Sequence, residues 1–216
     1  MSTYNGNDGV ARFATSSCKI EEAGGTASTN TVQINTVSAH GLSTGDYVVV
    51  TNVSGFEDAT YENPNGVFEV TVVDTDSFTF TFPCDDVSLT QQDDAYVFKS
   101  EDTIAEVKSF TAVESTELTD DTAMGDAWRT KKIGLKSWEA TIECHWDDTD
   151  AANSVEVGSS IGVMLYPEGF VDSTKVLSGH GKVTSVSNTQ TFENQTVSRT
   201  ITATGTGAFA QNTISV

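Results

Sequence analysis

Gly134-Leu135-Lys136-Ser137-Trp138-Glu139-Ala140-Thr141-Ile142-Glu143-Cys144-His145-Trp146 alternates along its whole length. Lys136, Trp138, Ala140, Ile142, Cys144 and Trp146 share one parity, and Ser137, Glu139, Thr141, Glu143 and His145 share the other. Successive side chains of a strand point to opposite faces, so this run predicts a strand with one face on a core and a carboxylate-bearing face away from it.

The rest of the chain repeats the pattern in shorter runs separated by Gly, Asn and Asp, with almost no amphipathic helical spacing. The alternation predicts strands at 31–36, 47–53, 67–73, 77–82 and 95–99, then at 104–114, 134–146, 161–166, 179–187 and 196–205. Asn65-Gly66 and Asp74-Thr75-Asp76 supply turns between strands of the first series, because these residues tolerate the positive φ of tight turns. One short helix is expected where Asp147-Asp148-Thr149-Asp150 precedes Ala151 to Glu156, with Gly158 as its left-handed stop. The reading is an all-β protein.

Composition agrees: of 216 residues, 37% are hydrophobic and 19% charged, which suits a folded chain rather than a disordered one. No apolar run approaches the roughly 20 residues of a membrane helix, and the opening MSTYNGNDGVARF lacks the basic and apolar regions of a signal peptide. A soluble protein made in a cytoplasm is expected. Cys18, Cys84 and Cys144 form no CxxC pair, which points to buried thiols rather than disulfides or zinc. The formal charge is -20, from 11 basic and 31 acidic residues, and such a surface repels nucleic acid rather than binding it.

Charge also divides the chain. Residues 18–100 hold 13 acidic and 2 basic residues, whereas residues 101–216 hold 17 and 8, and residues 1–17 balance. The segment 18–100 therefore looks like an insertion, a meander able to close as a small barrel, between residues 1–17 and 101–216.

Chemistry of the usual kinds is missing. Gly158-Ser159-Ser160-Ile161-Gly162 has the spelling of a nucleophile elbow, but a strand follows Ser160 where the elbow needs a helix. His40, His145 and His180 are scattered without metal-ligand spacing, His40 having the place of a turn residue. Asp74 with Asp76, and Asp148 with Asp150, begin like calcium loops but lack the glycine and the closing glutamate. No enzyme, metal or cofactor is expected. The densest basic cluster, Arg129, Lys131, Lys132 and Lys136, reads as a solvated loop or as a patch that meets acidic groups of a neighbouring copy.

Several stretches in order resemble the major tail tube proteins of siphophages. They are Ile104-Ala105-Glu106-Val107-Lys108-Ser109-Phe110, Thr119 to Trp128, Gly134 to Trp138, Leu165-Tyr166-Pro167-Glu168-Gly169, Ser178-Gly179-His180-Gly181-Lys182-Val183 and a last strand ending at Gly205. The resemblance spans roughly residues 101–210, with Gly9 to Phe13 added. Separately, HGLSTGD, NGVFEV and VDTDSFTF resemble a β-barrel module of phage tail proteins, similar to the first catalytic-cysteine half-domain of ubiquitin-activating enzymes. The second likeness concerns fold only and gives Cys18 and Cys84 no catalytic role.

The first resemblance implies a β-sandwich body with one flanking helix and six copies to a ring. Inner sheets would join across subunits around a lumen, and rings would stack into a hollow tube in a virion tail, assembled in the bacterial host cytoplasm. Genomic DNA would pass through without specific binding. The partners implied are further copies of the chain and other tail proteins: the tape measure, the tail terminator and the distal tail protein. No membrane is implicated. On this view Glu106, Ser137, Glu139, Thr141 and Glu143 face an acidic lumen. The link 116–133 is too long for a tight turn and becomes an arm, ordered on assembly, that reaches a neighbouring subunit or ring. Its residues include Glu117, Asp120, Asp121, Met124, Asp126, Trp128, Arg129, Lys131 and Lys132. The module 18–100 is expected to project outward. The competing expectation is a decoration or adhesin module whose aromatics, such as Tyr47, Phe56 or Tyr61, stack on host glycans.

Overall fold

The computed structural model describes residues 9–14, 17–28, 30–54, 63–84, 87–89, 94–99, 102–103, 107–124, 127–146, 155–169, 174–191 and 196–213. Among them every regular element is a strand, and the strands form two antiparallel sheets. The expected helix lies largely outside the described residues. Its last part, 155–158, is a turn, with Gly158 at a φ of 90°.

One sheet has seven strands: β1 (Val10–Ala14), β10 (Asp102–Thr103), β11 (Val107–Asp120), β12 (Lys131–His145), β13 (Ser160–Tyr166), β14 (Lys175–Thr191) and β15 (Thr196–Thr213). They lie in the order β10-β1-β13-β14-β15-β12-β11. The long strands β14 and β15 carry register shifts between Gly179 and Gly181 and between Val183 and Ser185. Such shifts bend and twist a strand, and the sheet folds over one core. Ala11, Phe13, Ile161, Val163 and Leu165 on its β1–β13 limb share that core with Trp138, Ala140, Ile142, Cys144, Ile201 and Ala203 on its β12–β15 limb.

The other sheet contains β2 (Ser17–Ser28), β3 (Thr31–Thr36), β4 (Tyr47–Thr51), β5 (Gly66–Glu69), β6 (Thr71–Val72), β7 (Ser77–Thr81), β8 (Val87–Leu89) and β9 (Tyr96–Lys99). Its order is β5-β4-β9-β2-β3-β7-β6, with β8 alongside β2. It curls until Phe68 of β5 stacks on Phe80 of β7, ring centroids 4.3 Å apart. Its own core holds Ile20, Val32, Ile34, Val48, Val50, Phe78 and Val97.

A third apolar cluster joins the two sheets. Val49, Val67 and Phe98 pack on Ala14, Met164, Tyr166 and Val176, with Tyr47 and Tyr96 half-buried beside them. Gly162 permits this closeness, since a Cβ there would lie 2.8 Å from the Phe98 ring. Asn212 of β15 also donates to the Val67 carbonyl at 3.2 Å. Tyr47, offered to glycans in the competing expectation, is thus an interface residue; Phe56 and Tyr61 lie outside the described residues.

Two smaller expectations meet the structure directly. Ser160 opens β13 and has no helix after it, so no nucleophile elbow forms. His40 does organise a turn: its Nδ1 accepts from the Leu42 amide at 3.0 Å, which leaves Nε2 to donate to the Ser77 carbonyl at 3.4 Å.

Candidate assembly face and arm

Trp138, Ala140, Ile142 and Cys144 are buried, while Glu139 is exposed and Thr141, Glu143 and His145 are half-buried on the opposite face. Lys136 and Trp146 share the core parity without the burial, because they lie where β12 leaves the core at either end. Trp138 is the outermost anchor. Its indole fills space left by Gly179, Gly181 and Gly205, and its Nε1 donates to the Gly207 carbonyl at 3.0 Å. Phe209 packs against the same indole, centroids 4.7 Å apart.

Register extends the outward face across four neighbouring strands. Thr111 pairs with Thr141 and Thr141 with Thr202, while Ser185 pairs with Thr202 and Ser187 with Thr200. Ser115 and Ser137 share a hydrogen bond at 2.8 Å, and Thr141 and Thr202 one at 3.4 Å. Glu139 lies between Val113 and Thr204. Hydroxyls dominate this surface.

Glu143 is not an isolated anion. Lys108 reaches it at 3.4 Å and also donates to the Ser198 hydroxyl at 2.6 Å. A bulge causes this: between Val107 and Ser109 the register with β12 shifts by one residue, leaving Lys108 unpaired in the ladder and beside Glu143. Beyond that pair the described face is mostly neutral, with Glu139 an unneutralised carboxylate and Lys182, opposite Thr204 in the same row, an exposed cation. Glu106 lies outside them. Sequence reading passed over Lys108, Ser185, Ser187, Thr200 and Thr202, although the alternation of Ser198, Thr200, Thr202 and Thr204 against Arg199, Ile201 and Ala203 carried the signal for β15.

Both margins of the four strands are open among the described residues. β11 pairs only with β12. β14 pairs with β13 as far as Lys182, and from 184 to 191 it has β15 alone. Unpaired edges of this kind invite another strand.

The expected arm is a hairpin, not an unstructured link. β11 runs on to Asp120 and β12 begins at Lys131, with Asp120 opposite Lys131, Thr119 opposite Lys132 and Leu118 opposite Ile133. The apparent loop composition was misleading because these strands lie beyond the core and so need no buried face. β12 meets β15 only from Glu139 onward, so the hairpin protrudes as two strands. Its tip closes through Asp121 N–H to the Thr130 carbonyl at 3.0 Å and Lys132 to the Asp121 carboxylate at 2.7 Å. The Thr122 hydroxyl and amide both donate to Asp120, holding its carboxyl below the ordinary carboxylate range. Glu117 and Arg129 are exposed on the same hairpin, and Asp126 lies outside the described residues.

The hairpin is apolar where nothing covers it. Ile133 is 73% exposed, Leu135 84% and Trp128 85%, while Met124 at the tip is fully exposed. Along β11, Leu118 follows Thr116, Glu114 and Ala112 on the parity that faces the core further down, so the sheet's buried face continues into the arm without its cover.

No family model matches the chain, and no curated protein does. Among solved structures the chain is similar to one described as "Virion of native gene transfer agent (GTA) particle", 16% identical, with a TM-score of 0.41, over 53% of this chain and 88% of that one. A likeness that slight carries no functional argument.

Proposed function

We propose that this chain is a structural subunit of the major tail tube type, which joins head to tail with copies of itself into rings that stack as a hollow conduit for phage DNA. The observation that carries the proposal is the four-stranded hydroxyl face with an open edge on each side. A head-to-tail contact uses two different edges of one molecule and closes into a ring. The β11 edge of one copy set against the 184–191 edge of the next continues the sheet and removes both liabilities. Six copies in a ring follow from the family resemblance.

Two further observations support the reading. The eight-stranded sheet covers the outer surface of the β1–β13 limb, while the hydroxyl face lies on the β11–β12 limb across the core. If the hydroxyl face lines the bore, the eight-stranded sheet projects outward as an inserted module. The uncovered apolar pair Leu118 and Ile133, with Trp128 and Met124 at the tip, gives the arm a surface to bury on a neighbouring subunit or ring.

The wall this makes is non-adhesive for a different reason from the acidic lumen expected from sequence. DNA affinity comes from cations that displace counterions; Lys108 is paired with Glu143, and Lys182, opposite Thr204, is an exposed cation at the margin of the face. A hydroxyl-lined wall offers phosphate little to hold. Negative-stain imaging of the concentrated protein tests the proposal: rings or hollow rods are expected, and single particles at every concentration and salt would overturn it.

A further inference from the structure

The contact between the two sheets contains a titratable group. His180 of β14 is buried, with its imidazole 5.0 Å from both the Tyr96 and the Phe98 ring of β9. Strand alternation explains the placement: Gly179 and Gly181 turn toward Trp138 in the core, and His180 between them turns toward the other sheet. Nδ1 meets the Thr206 hydroxyl at 3.2 Å, and Nε2 is buried with no hydrogen-bond partner among the described residues.

We propose that this joint is an acid-released latch, closed while the His180 imidazole is neutral and loosened when the ring takes a proton. A protonated ring would bring a charge and a second N–H into a site whose described residues offer no acceptor for Nε2. The surrounding groups do not compensate. On β14, Lys182 opposes the charge; before β9, Asp94 favours it more weakly; β13 carries no charged side chain; and β15 contributes the neutral Thr206. Burial first, then Lys182, push the His180 pKa below its ordinary 6.5. Closure thus disfavours the charged ring, so the joint is fully stable above pH 6.5 or so and weakens as pH falls below it.

Met164 makes the latch measurable, since it is fully buried in this joint, whereas Met124 is fully exposed at the arm tip. Peroxide oxidation of the full chain, read by peptide mass spectrometry, gives the Met164 rate relative to Met124 at pH 7.5 and 5.5, pH values we choose as being on the order of one unit either side of the ordinary imidazole pKa. The relative rate should rise on acidification, approaching but not exceeding about tenfold, because only the open ring's protonation about one unit below its ordinary pKa drives the change, while circular dichroism stays unchanged. His180→Gln and His180→Phe should abolish the rise. A Met164 rate that stays flat in the unaltered chain overturns the latch, whether or not either variant folds. A rise that persists in a folded variant assigns the effect to another group and overturns it equally.

Discussion

Gly205→Ala should destabilise the chain through one side chain, and the loss should be recoverable at that side chain. A Cβ on Gly205 would overlap the pyrrole edge of the Trp138 indole. Overpacking of this kind costs about 1–3 kcal/mol. Trp138→Leu, at a residue only 4% exposed, leaves a void and removes the donor to the Gly207 carbonyl. That change costs about 3 kcal/mol or more, on the scale of large-to-small core substitutions. If both effects concern the same space, the double variant is less destabilised than the sum by about 1–2 kcal/mol, because the new methyl fills part of the void. Urea unfolding followed by circular dichroism gives the four stabilities of the cycle. Costs that add to within about 0.5 kcal/mol would mean that Trp138 does not occupy the hollow above Gly205, and the anchoring of the arm at its base would need another account.

Joining Thr116 to Lys136, which face each other in register, through an Asn-Gly turn removes the arm while keeping a hairpin; the body should fold, and sedimentation should find no polymer. Leu118→Ser with Ile133→Ser changes an exposed pair, so monomer stability should move by no more than about 0.5 kcal/mol, yet polymerisation should be lost; tubes of normal length would refute the arm's role. Glu139→Lys should leave assembly intact and slow DNA delivery by adding a phosphate contact to the wall, and unchanged infectivity would argue against a luminal Glu139. Asp120 holds the arm tip with a depressed pKa, so the tip should be ordered above the ordinary carboxylate range and loosen as pH falls through and below it; the Thr122 amide resonance should report the change, and Asp120→Asn should weaken it.

What the sequence made legible was whatever a period of two can encode. Thr31–Thr36 is a strand at the expected bounds, and the buried set Trp138, Ala140, Ile142 and Cys144 was written in the alternation of β12. β2 went unseen because it serves three neighbours: Ser17 to Lys19 pair with β9, Gly25 to Ala27 with β8, and Ile20 and Gly25 to Ser28 with β3, with a register shift between Ile20 and Gly25. No single face is buried along such a strand, so no single alternation marks it. The arm was misread for a related reason, since a hairpin that leaves the core has no buried side to advertise. The Lys108–Glu143 pair depends on a bulge, and a bulge changes which residues are neighbours without changing composition.

That pair also decides how the proposed conduit would work. An acidic bore holds DNA away by repulsion, an effect that fades once ionic strength shortens the screening length to about 10 Å or less. A hydroxyl wall in which Glu143 engages Lys108, and in which Lys182 opposite Thr204 is an exposed cation at the margin, needs no such field: it gives DNA few counterions to displace, at any salt. Both kinds of wall pass DNA in dilute buffer, but only the second remains equally slippery in concentrated salt. The charge of -20 is then chiefly a property of the module and the outer surface, where it keeps assembled tubes apart rather than guiding what moves inside them.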